Sequence, residues 1–181
     1  MVSFANSYKF TPELFSVWLQ LLDDIPHAVL WLVDDNPATT ANLKAFIYRH
    51  RAQVQRIIFT PRAHYDEYKQ RLKLADVFLD TYPYNCGSTT NNVVQAGLPM
   101  VTMHGKTMVS RMGLSILSAV GLAHYCVNSH EAYQQRVKEI AAMSDADRTA
   151  LRARIRSSGQ QVKLASNIEH LLAQLLQARQ A

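Results

Sequence analysis

Short apolar runs alternate with longer stretches whose apolar residues recur at helical spacing, and this alternation constrains the fold of the chain most strongly. Ala28–Val33 is continuously apolar, which is typical of a strand covered on both faces in a parallel sheet. Leu14–Ile25 instead aligns its apolar side chains along one helical stripe. Repeated strand–helix units with short connections predict an α/β fold, a Rossmann-like, doubly wound parallel sheet with helices on both faces.

The same periodicities place the other elements. Thr11–Glu13 begins the first helix, since a capping hydroxyl, a proline and an acid favoured by the helix dipole follow one another. Ser144–Asp147 has the pattern of a capping box and opens a late helix. Strands are predicted over 1–5, 28–33, 56–60, 77–81, 99–103 and 124–127. Further helices are predicted over 39–51, 63–74, 88–96, 108–120, 130–143 and 167–179.

Chain length and hydropathy suggest one domain of 181 residues with its own hydrophobic core. No apolar run approaches the ~20 residues that cross a bilayer. No basic stretch followed by a hydrophobic block marks a signal peptide at the N-terminus. A cytoplasmic protein that does not contact membranes is therefore expected.

The formal net charge of +5 favours an anionic ligand or a solvated basic surface. The basic residues are dispersed except for four arginines, Arg148, Arg152, Arg154 and Arg156. Such a cluster can bind nucleic acid, but no nucleic-acid-binding signature accompanies it, so no nucleic-acid partner is expected. The two cysteines and the scattered histidines lack metal-ligand spacing, so no metal site is expected either.

Ligands of doubly wound sheets bind beyond the carboxyl ends of the strands, which directs attention to the loops after Ala5, Thr60, Thr81 and Met103. The loop after Thr81 is the most informative, because a glycine precedes hydroxyl residues that open a helix. Backbone N–H groups at a helix N-terminus bind phosphate, although Ser and Thr are also ordinary helix caps.

The remaining loops carry basic and aromatic side chains. The loop after Ala5 contains Asn6, Tyr8 and Lys9. The segment after Thr60 contains Arg62, His64, Tyr65, Tyr68 and Arg71, and the loop after Met103 contains His104, Lys106 and Arg111. The rings after Thr60 can stack on a base or lie half-buried on a helix, and the cations can bind an anion or face solvent.

Six ordered segments carry a family resemblance. They are Ser7–Pro12, Ala28–Leu32, Arg56–Pro61, Leu74–Thr81, Asn85–Thr90 and Ala96–Thr102, the last continuing through Gly105 to Ser110 and Arg111. In order and spacing they resemble the C-terminal catalytic lobe of protein O-linked N-acetylglucosamine transferases and their bacterial relatives. The resemblance runs from about Phe4 to about Val120 and is looser beyond.

That resemblance implies a GT-B architecture, in which two Rossmann-like lobes face each other and the C-terminal lobe holds the UDP-sugar. It implies an inverting transfer of N-acetylglucosamine, or a related sugar, to protein side chains, with no cofactor and no strictly required metal. Residues 1–181 would form the lobe that binds UDP or UDP-N-acetylglucosamine, as part of a longer chain. The protein acceptor would bind through the missing lobe.

The resemblance also implies residue roles. Lys9 matches a lysine that stabilises the leaving diphosphate, and Asn6 matches a nearby amide. Ala63 would contact uracil through its backbone, and Arg71 matches a basic residue of the adjoining helix. The hydroxyl-rich turn that cradles the diphosphate would comprise Ser88, Thr89 and Thr90.

This chain departs from the family pattern at four of the implied positions. Tyr65 replaces a common lysine, and Tyr68 replaces a histidine that lies against the nucleoside. Asn92 stands where an acid usually binds the ribose hydroxyls. Gly87 stands where some members have histidine. No residue of the chain is a convincing catalytic base.

Two alternative functions remain at this point. One is a nucleotide-binding module without transferase activity, and the other is a UDP-sugar epimerase-like protein that shares the GT-B scaffold. The apolar stripe of 167–179 would be exposed without the missing lobe, and self-association into a homodimer is then expected.

Overall fold

The computed structural model describes residues 1–50, 54–161 and 177, and its centre is a six-stranded parallel sheet in the order β3-β2-β1-β4-β5-β6. The strands are β1 (Val2–Ser3), β2 (Leu30–Asp34), β3 (Ile57–Pro61), β4 (Phe78–Leu79), β5 (Met100–Met103) and β6 (Cys126–Val127). The strand order reverses between β1 and β4, which pair directly through Val2 and Phe78. This order is that of a Rossmann fold, with its crevice at the reversal.

Five helices connect successive strands, and two more follow the last strand of the described chain. They are α1 (Pro12–Asp24), α2 (Pro37–Arg49), α3 (Tyr65–Leu74), α4 (Ser88–Gln95), α5 (Met112–Ala119), α6 (His130–Ala141) and α7 (Asp145–Gln161). Short 3₁₀ turns occupy Ser7–Lys9, Val54–Arg56 and Ala123–Tyr125. Within the described residues, no helix combines the length and apolar character that a membrane span requires.

Helices cover both faces of the sheet. Neighbouring strand residues point to opposite faces, so each face has its own core. Leu79 lies in one core with buried side chains of α1 and α6. The preceding Phe78 lies in the other, with Leu72 of α3 and Val93 of α4. Burial of each such side chain contributes about 1.5–3 kcal/mol to folding. The predicted doubly wound sheet is therefore confirmed.

Helix boundaries differ from the predictions where loops use their own side chains as caps. Asn36 Oδ1 accepts hydrogen bonds from the N–H groups of Ala38 and Thr39, so α2 begins at Pro37 rather than at 39. The helix predicted over 108–120 begins only at Met112. Ser110 Oγ accepts from the Thr107 N–H instead, which keeps the preceding residues in a turn.

The C-terminal part of the described chain begins with the capping residue that the sequence predicts. Ser144 Oγ accepts a hydrogen bond from the Asp147 N–H at 3.1 Å and donates to the Asp147 carboxylate at 2.6 Å. Helix α7 follows from Asp145. Apart from Gln177, the helix predicted over 167–179 lies outside the described residues, and so does the stripe from which self-association is expected.

Most of the clustered arginines of α7 have structural partners. Arg152 donates to the backbone carbonyls of Lys73 and Ala75, at the end of α3. Arg148 pairs with Asp76 at 2.8 Å. These contacts satisfy helix carbonyls and a carboxylate.

Candidate functional site

A cavity of about 370 Å³ lies beyond the carboxyl ends of the strands, at the strand-order reversal between β1 and β4. The loops after β1 and β3 and the facing sides of α3 and α4 form its walls. Most of the predicted site residues line it, namely Asn6, Lys9, Ala63, Tyr65, Tyr68, Arg71, Thr89 and Asn92. Its lining also includes Arg62, one of the cations noted after Thr60, together with Phe4, Ala5, Val33 and Cys86, which the sequence did not single out as ligand contacts.

Three predicted residues lie at the start of α4 without lining the cavity. Ser88 is exposed, and Gly87 is partly exposed immediately before the helix. Thr90 is buried, and its hydroxyl donates to the Cys86 carbonyl at 2.7 Å. The Thr90 hydroxyl is thus hydrogen-bonded within the first turn of α4. Of Ser88, Thr89 and Thr90, only Thr89 lines the cavity.

Lys9 is held where the loops after β1 and β4 meet. Its ammonium donates to the Asn85 carbonyl at 3.0 Å and lies 3.9 Å from the centre of the Tyr84 ring. Both partners are neutral, and no described carboxylate forms an ion pair with Lys9. An ammonium has three N–H donors, so a positive charge and further donors stay available to a ligand.

The loop after β4 is built on Asp80, a fully buried residue. One carboxylate oxygen accepts the N–H groups of Thr81 and Cys86, each at 2.8 Å, and the other accepts the Thr102 hydroxyl at 2.5 Å. Burial raises the pKa of Asp80 to about 6 despite these hydrogen bonds. The carboxylate thereby joins both ends of the loop that presents Asn85 to Lys9.

Asn85 completes the same loop from within. Its side-chain N–H₂ donates to the carbonyls of Thr81 and Met103, at 2.8 and 3.0 Å. The residue is entirely buried, so these two hydrogen bonds fix its orientation. The Asn85 carbonyl that accepts the Lys9 hydrogen bond is consequently held in place in the loop between β4 and α4.

Two tyrosines of α3 form an aromatic wall. The Tyr65 and Tyr68 rings are stacked with centroids 6.4 Å apart, and Tyr65 is the exposed member. The Tyr65 hydroxyl donates to Asn92 Oδ1 at 3.0 Å, which closes the cavity between α3 and α4. Tyr65 is therefore the more accessible of the two rings, with the Lys69 ammonium 4.6 Å from its centre.

Tyr68 is placed differently, with its ring against Phe4 and its hydroxyl buried. The hydroxyl lies near Thr89 and Asn92 but forms no well-aligned hydrogen bond, and burial raises its pKa to about 12. A buried polar group without a partner costs about 1–3 kcal/mol. A hydroxyl or phosphate oxygen of a ligand at this position would supply the missing partner.

Arg71 forms hydrogen bonds with the end of β3, which precedes Ala63. Its guanidinium pairs with Glu67 at 2.6 Å and donates to the Pro61 carbonyl at 2.8 Å and to Thr60 Oγ1 at 3.2 Å. Trp31 donates to the same Thr60 oxygen at 2.7 Å. Most of the guanidinium's hydrogen-bonding capacity is used within the protein.

Asp35 links the loops after β1, β2 and β3. Its carboxylate accepts the Ser7 hydroxyl at 2.8 Å and the Ser7 N–H at 3.1 Å, and Arg62 approaches it at 3.4 Å. Arg62 also donates to Asn6 Oδ1. The sequence patterns leave Asp35 between the predicted strand 28–33 and helix 39–51, and they do not reveal its contacts, which come from residues distant along the chain.

The described residues contain no group of three or more His, Cys, Asp or Glu side chains placed to hold a metal ion. The cavity lining combines the cations Lys9, Arg62 and Arg71 with no Asp or Glu from the described part of the chain. An anionic or strongly polar ligand therefore fits the electrostatics of the cavity.

Comparison with solved structures identifies the fold. A mutant O-GlcNAc transferase of Thermobaculum terrenum superposes with a TM-score of 0.80 at 24% identity, over 88% of this chain and 31% of that one. Anabaena HepE in complex with UDP-glucose superposes with a TM-score of 0.64 at 16% identity, over 98% of this chain and 48% of the other. The fold is that of one lobe of a GT-B glycosyltransferase, as predicted.

Sequence comparison gives the family. The chain is 34% identical over 139 residues to a probable UDP-N-acetylglucosamine–peptide N-acetylglucosaminyltransferase of Arabidopsis thaliana, covering 76% of this chain and 14% of the relative. It is 29% identical over 154 residues to a UDP-N-acetylglucosamine–peptide N-acetylglucosaminyltransferase of Caenorhabditis elegans, covering 84% of this chain and 13% of the relative. The family model described as glycosyl transferase family 41 matches residues 1–172. The chain therefore belongs to glycosyl transferase family 41.

Proposed function

We propose that this chain is the UDP-sugar-binding lobe of an inverting glycosyltransferase, which transfers N-acetylglucosamine or a related sugar to protein side chains. The observation that carries the proposal is the position of Lys9. Its ammonium, without a carboxylate partner in the described structure, lines a cavity at the carboxyl ends of a doubly wound sheet. That location is where such sheets bind nucleotides.

In the proposed reaction, negative charge develops on the diphosphate as the bond between the sugar and UDP breaks. The Lys9 ammonium stabilises that charge, and it is held in advance by Asn85 and Tyr84. The first N–H groups of α4 and the Thr89 hydroxyl add donors at the positive end of the helix dipole. We propose that these groups act without a bound metal, as the family resemblance implies.

The nucleoside is assigned to the opposite wall of the cavity. Uracil would stack on the exposed Tyr65 ring and contact the backbone of Ala63, beside the strand end that Arg71 braces. The ribose hydroxyls would meet the Asn92 amide and the unpaired Tyr68 hydroxyl. Both groups are neutral, so recognition of the ribose would depend on hydrogen bonds alone.

The relatives support this assignment of donor and acceptor. The names of the curated relatives describe transfer from UDP-N-acetylglucosamine to peptide. The chain spans 14% and 13% of the length of those two relatives. The acceptor site and the catalytic base are accordingly assigned to parts of a longer protein, with a second lobe that closes the cleft.

Calorimetric titration of the chain with UDP tests the donor site. Saturable binding is expected, with affinity reduced about tenfold or more by Lys9→Ala and about fivefold by Thr89→Ala, because charged hydrogen bonds contribute more than neutral ones. Lys73→Ala is the matched control, since Lys73 is exposed at the far end of α3. Absence of binding, or equal affinity in all variants, would contradict the proposal.

The reaction itself is tested in the longer protein. A transferase releases UDP from UDP-N-acetylglucosamine only when a peptide acceptor is present. Interconversion of the free nucleotide sugar would identify an epimerase instead. Binding of UDP without either reaction would identify a module that has lost transferase activity.

A further inference from the structure

The cations that line the cavity differ in how completely other protein groups satisfy them. Arg71 has the most complete set of protein partners, because its guanidinium pairs with Glu67 at 2.6 Å and its side chain is only 17% exposed. Lys9 has neutral partners alone. Arg62 is intermediate, with a side chain that is 60% exposed and a carboxylate at 3.4 Å.

The ion pair of Arg62 is weak for a structural reason. The Asp35 oxygen that it approaches already accepts the Ser7 N–H at 3.1 Å, and the other oxygen accepts the Ser7 hydroxyl at 2.8 Å. Asp35 therefore serves mainly to hold the loop after β1. The guanidinium end of this long pair is exposed, and the Asp35 oxygens keep their Ser7 hydrogen bonds without it, so Arg62 can change partner at low cost.

The position of Arg62 places its charge in the same cavity as that of Lys9. Arg62 follows β3, which is separated from β1 by β2, yet its guanidinium reaches Asn6 in the loop after β1. Asn6 lies three residues before Lys9 in the same loop. Both cations line one cavity, whose described lining contains no carboxylate.

We propose that Arg62 is a second cation for the diphosphate, so that the donor's phosphates are bound between Lys9 from the loop after β1 and Arg62 from the loop after β3. The inference rests on the proposed function, since it assigns a further residue to the same donor site. A guanidinium presents a planar set of N–H donors that matches two phosphate oxygens at once. On binding, the group would exchange Asn6 and Asp35 for the ligand.

Titration of the 181-residue chain with uridine, UMP and UDP locates the contact along the ligand. The titrations are performed well above the second phosphate pKa of about 6, so that the phosphates stay fully ionised. Arg62→Gln is expected to lower UDP affinity about tenfold while leaving uridine affinity unchanged. Arg62→Lys is expected to recover part of the loss, because it keeps the charge but not the planar donor set.

Arg49→Gln is the control for a general loss of one positive charge. Arg49 is exposed in the last turn of α2 and does not line the cavity. It should leave all affinities unchanged. An equal loss for uridine and UDP in Arg62→Gln, or no loss for UDP, would overturn the inference. Failure of the unsubstituted chain to bind UDP would contradict the proposed function itself, and this inference with it.

Discussion

At the scale of single residues, Asp80 shows how a buried charge can organise a binding loop. Its carboxylate accepts hydrogen bonds from both ends of the loop and from Thr102 on the next strand. Full burial disfavours the ionised form, and the pKa rises from 3.8 to about 6. The loop that holds Lys9 is therefore built on a group that titrates just below neutral pH.

The pH dependence of stability follows from this raised pKa. The folded protein holds the Asp80 proton more tightly than the unfolded chain does. Protonated Asp80 therefore stabilises the folded state, and this contribution to the free energy of unfolding is fully present below a pH of about 4. The contribution, about 3 kcal/mol, is lost as the pH rises through about 6. In Asp80→Asn, the amide resembles the protonated acid and should lack this loss.

Urea denaturation of both proteins between pH 4 and pH 7 measures the difference, which should grow by about 3 kcal/mol in favour of Asp80→Asn. Nearby groups do not titrate in this range, because burial raises the pKa values of Cys86 and Tyr133 well above their ordinary values and that of Cys126 to about 11. A difference that does not vary with pH would show that Asp80 stays ionised throughout.

The residues that line the site were more predictable from sequence than the buried residue Asp80, which supports one of its loops. Lys9 and Thr89 follow strand ends, and polar residues at those ends meet at one edge of a parallel sheet. Asp80 reads as the last part of an apolar strand, and nothing local indicates that Cys86 and Thr102 will be its partners. Its role depends on contacts between strands, which periodicity does not reveal.

At the scale of elements, α5 depends on a close approach to the pair formed by Asp80 and Thr102. A Cβ atom added at Gly113 would overlap Thr102 Oγ1 and lie 2.9 Å from Asp80 Oδ2. A methyl group at position 113 would therefore require Thr102 or α5 to shift. Helix α5 thus packs against Asp80 and Thr102, which support the loop that contains Asn85.

Gly113→Ala is expected to destabilise the protein by about 1–3 kcal/mol, because overpacking forces α5 and Thr102 apart. Thermal or urea denaturation measures this loss. Ser115→Ala in the same helix is the matched control, since Ser115 is exposed and its substitution should change stability by less than about 0.5 kcal/mol. Equal stability of the two variants would show that α5 can shift without cost.

Elements were predictable where local chemistry decides them. Helix α1 begins where Thr11 accepts a hydrogen bond from the Leu14 N–H, as its capping pattern indicates. The helix expected from residue 108 starts later, because Ser110 joins Gly105 and Thr107 in a turn. Apolar periodicity cannot distinguish that turn from a helix, since Met108 and Val109 fit both.

At the scale of the whole molecule, α7 holds together elements that are distant in sequence. Arg152 donates to carbonyls at the end of α3, and Arg156 lies 3.5 Å from the Ala96 carbonyl at the end of α4. These two helices form the walls of the cavity at their opposite ends. The arginines of α7 therefore stabilise the scaffold of the site without lining it.

Arg152→Ala is expected to lower the free energy of unfolding by about 1–3 kcal/mol, because two helix carbonyls lose a charged donor. UDP affinity of the folded protein should stay the same, since Arg152 does not line the cavity. Denaturation and calorimetry together measure both quantities. Exposed Arg49, in the last turn of α2, provides a control, Arg49→Ala, which should change neither. Loss of UDP binding without loss of stability would contradict this role.

The contact between Lys9 and Asn85 joins residues that are 76 positions apart, and it forms where β1 pairs directly with β4. Pairing of strands that are so distant in sequence costs the conformational entropy of closing a long loop before any contact forms. Under the proposed function, a nucleotide bound between these loops would bind only chains in which β1 and β4 are already paired. By mass action such a ligand would stabilise the folded sheet against unfolding.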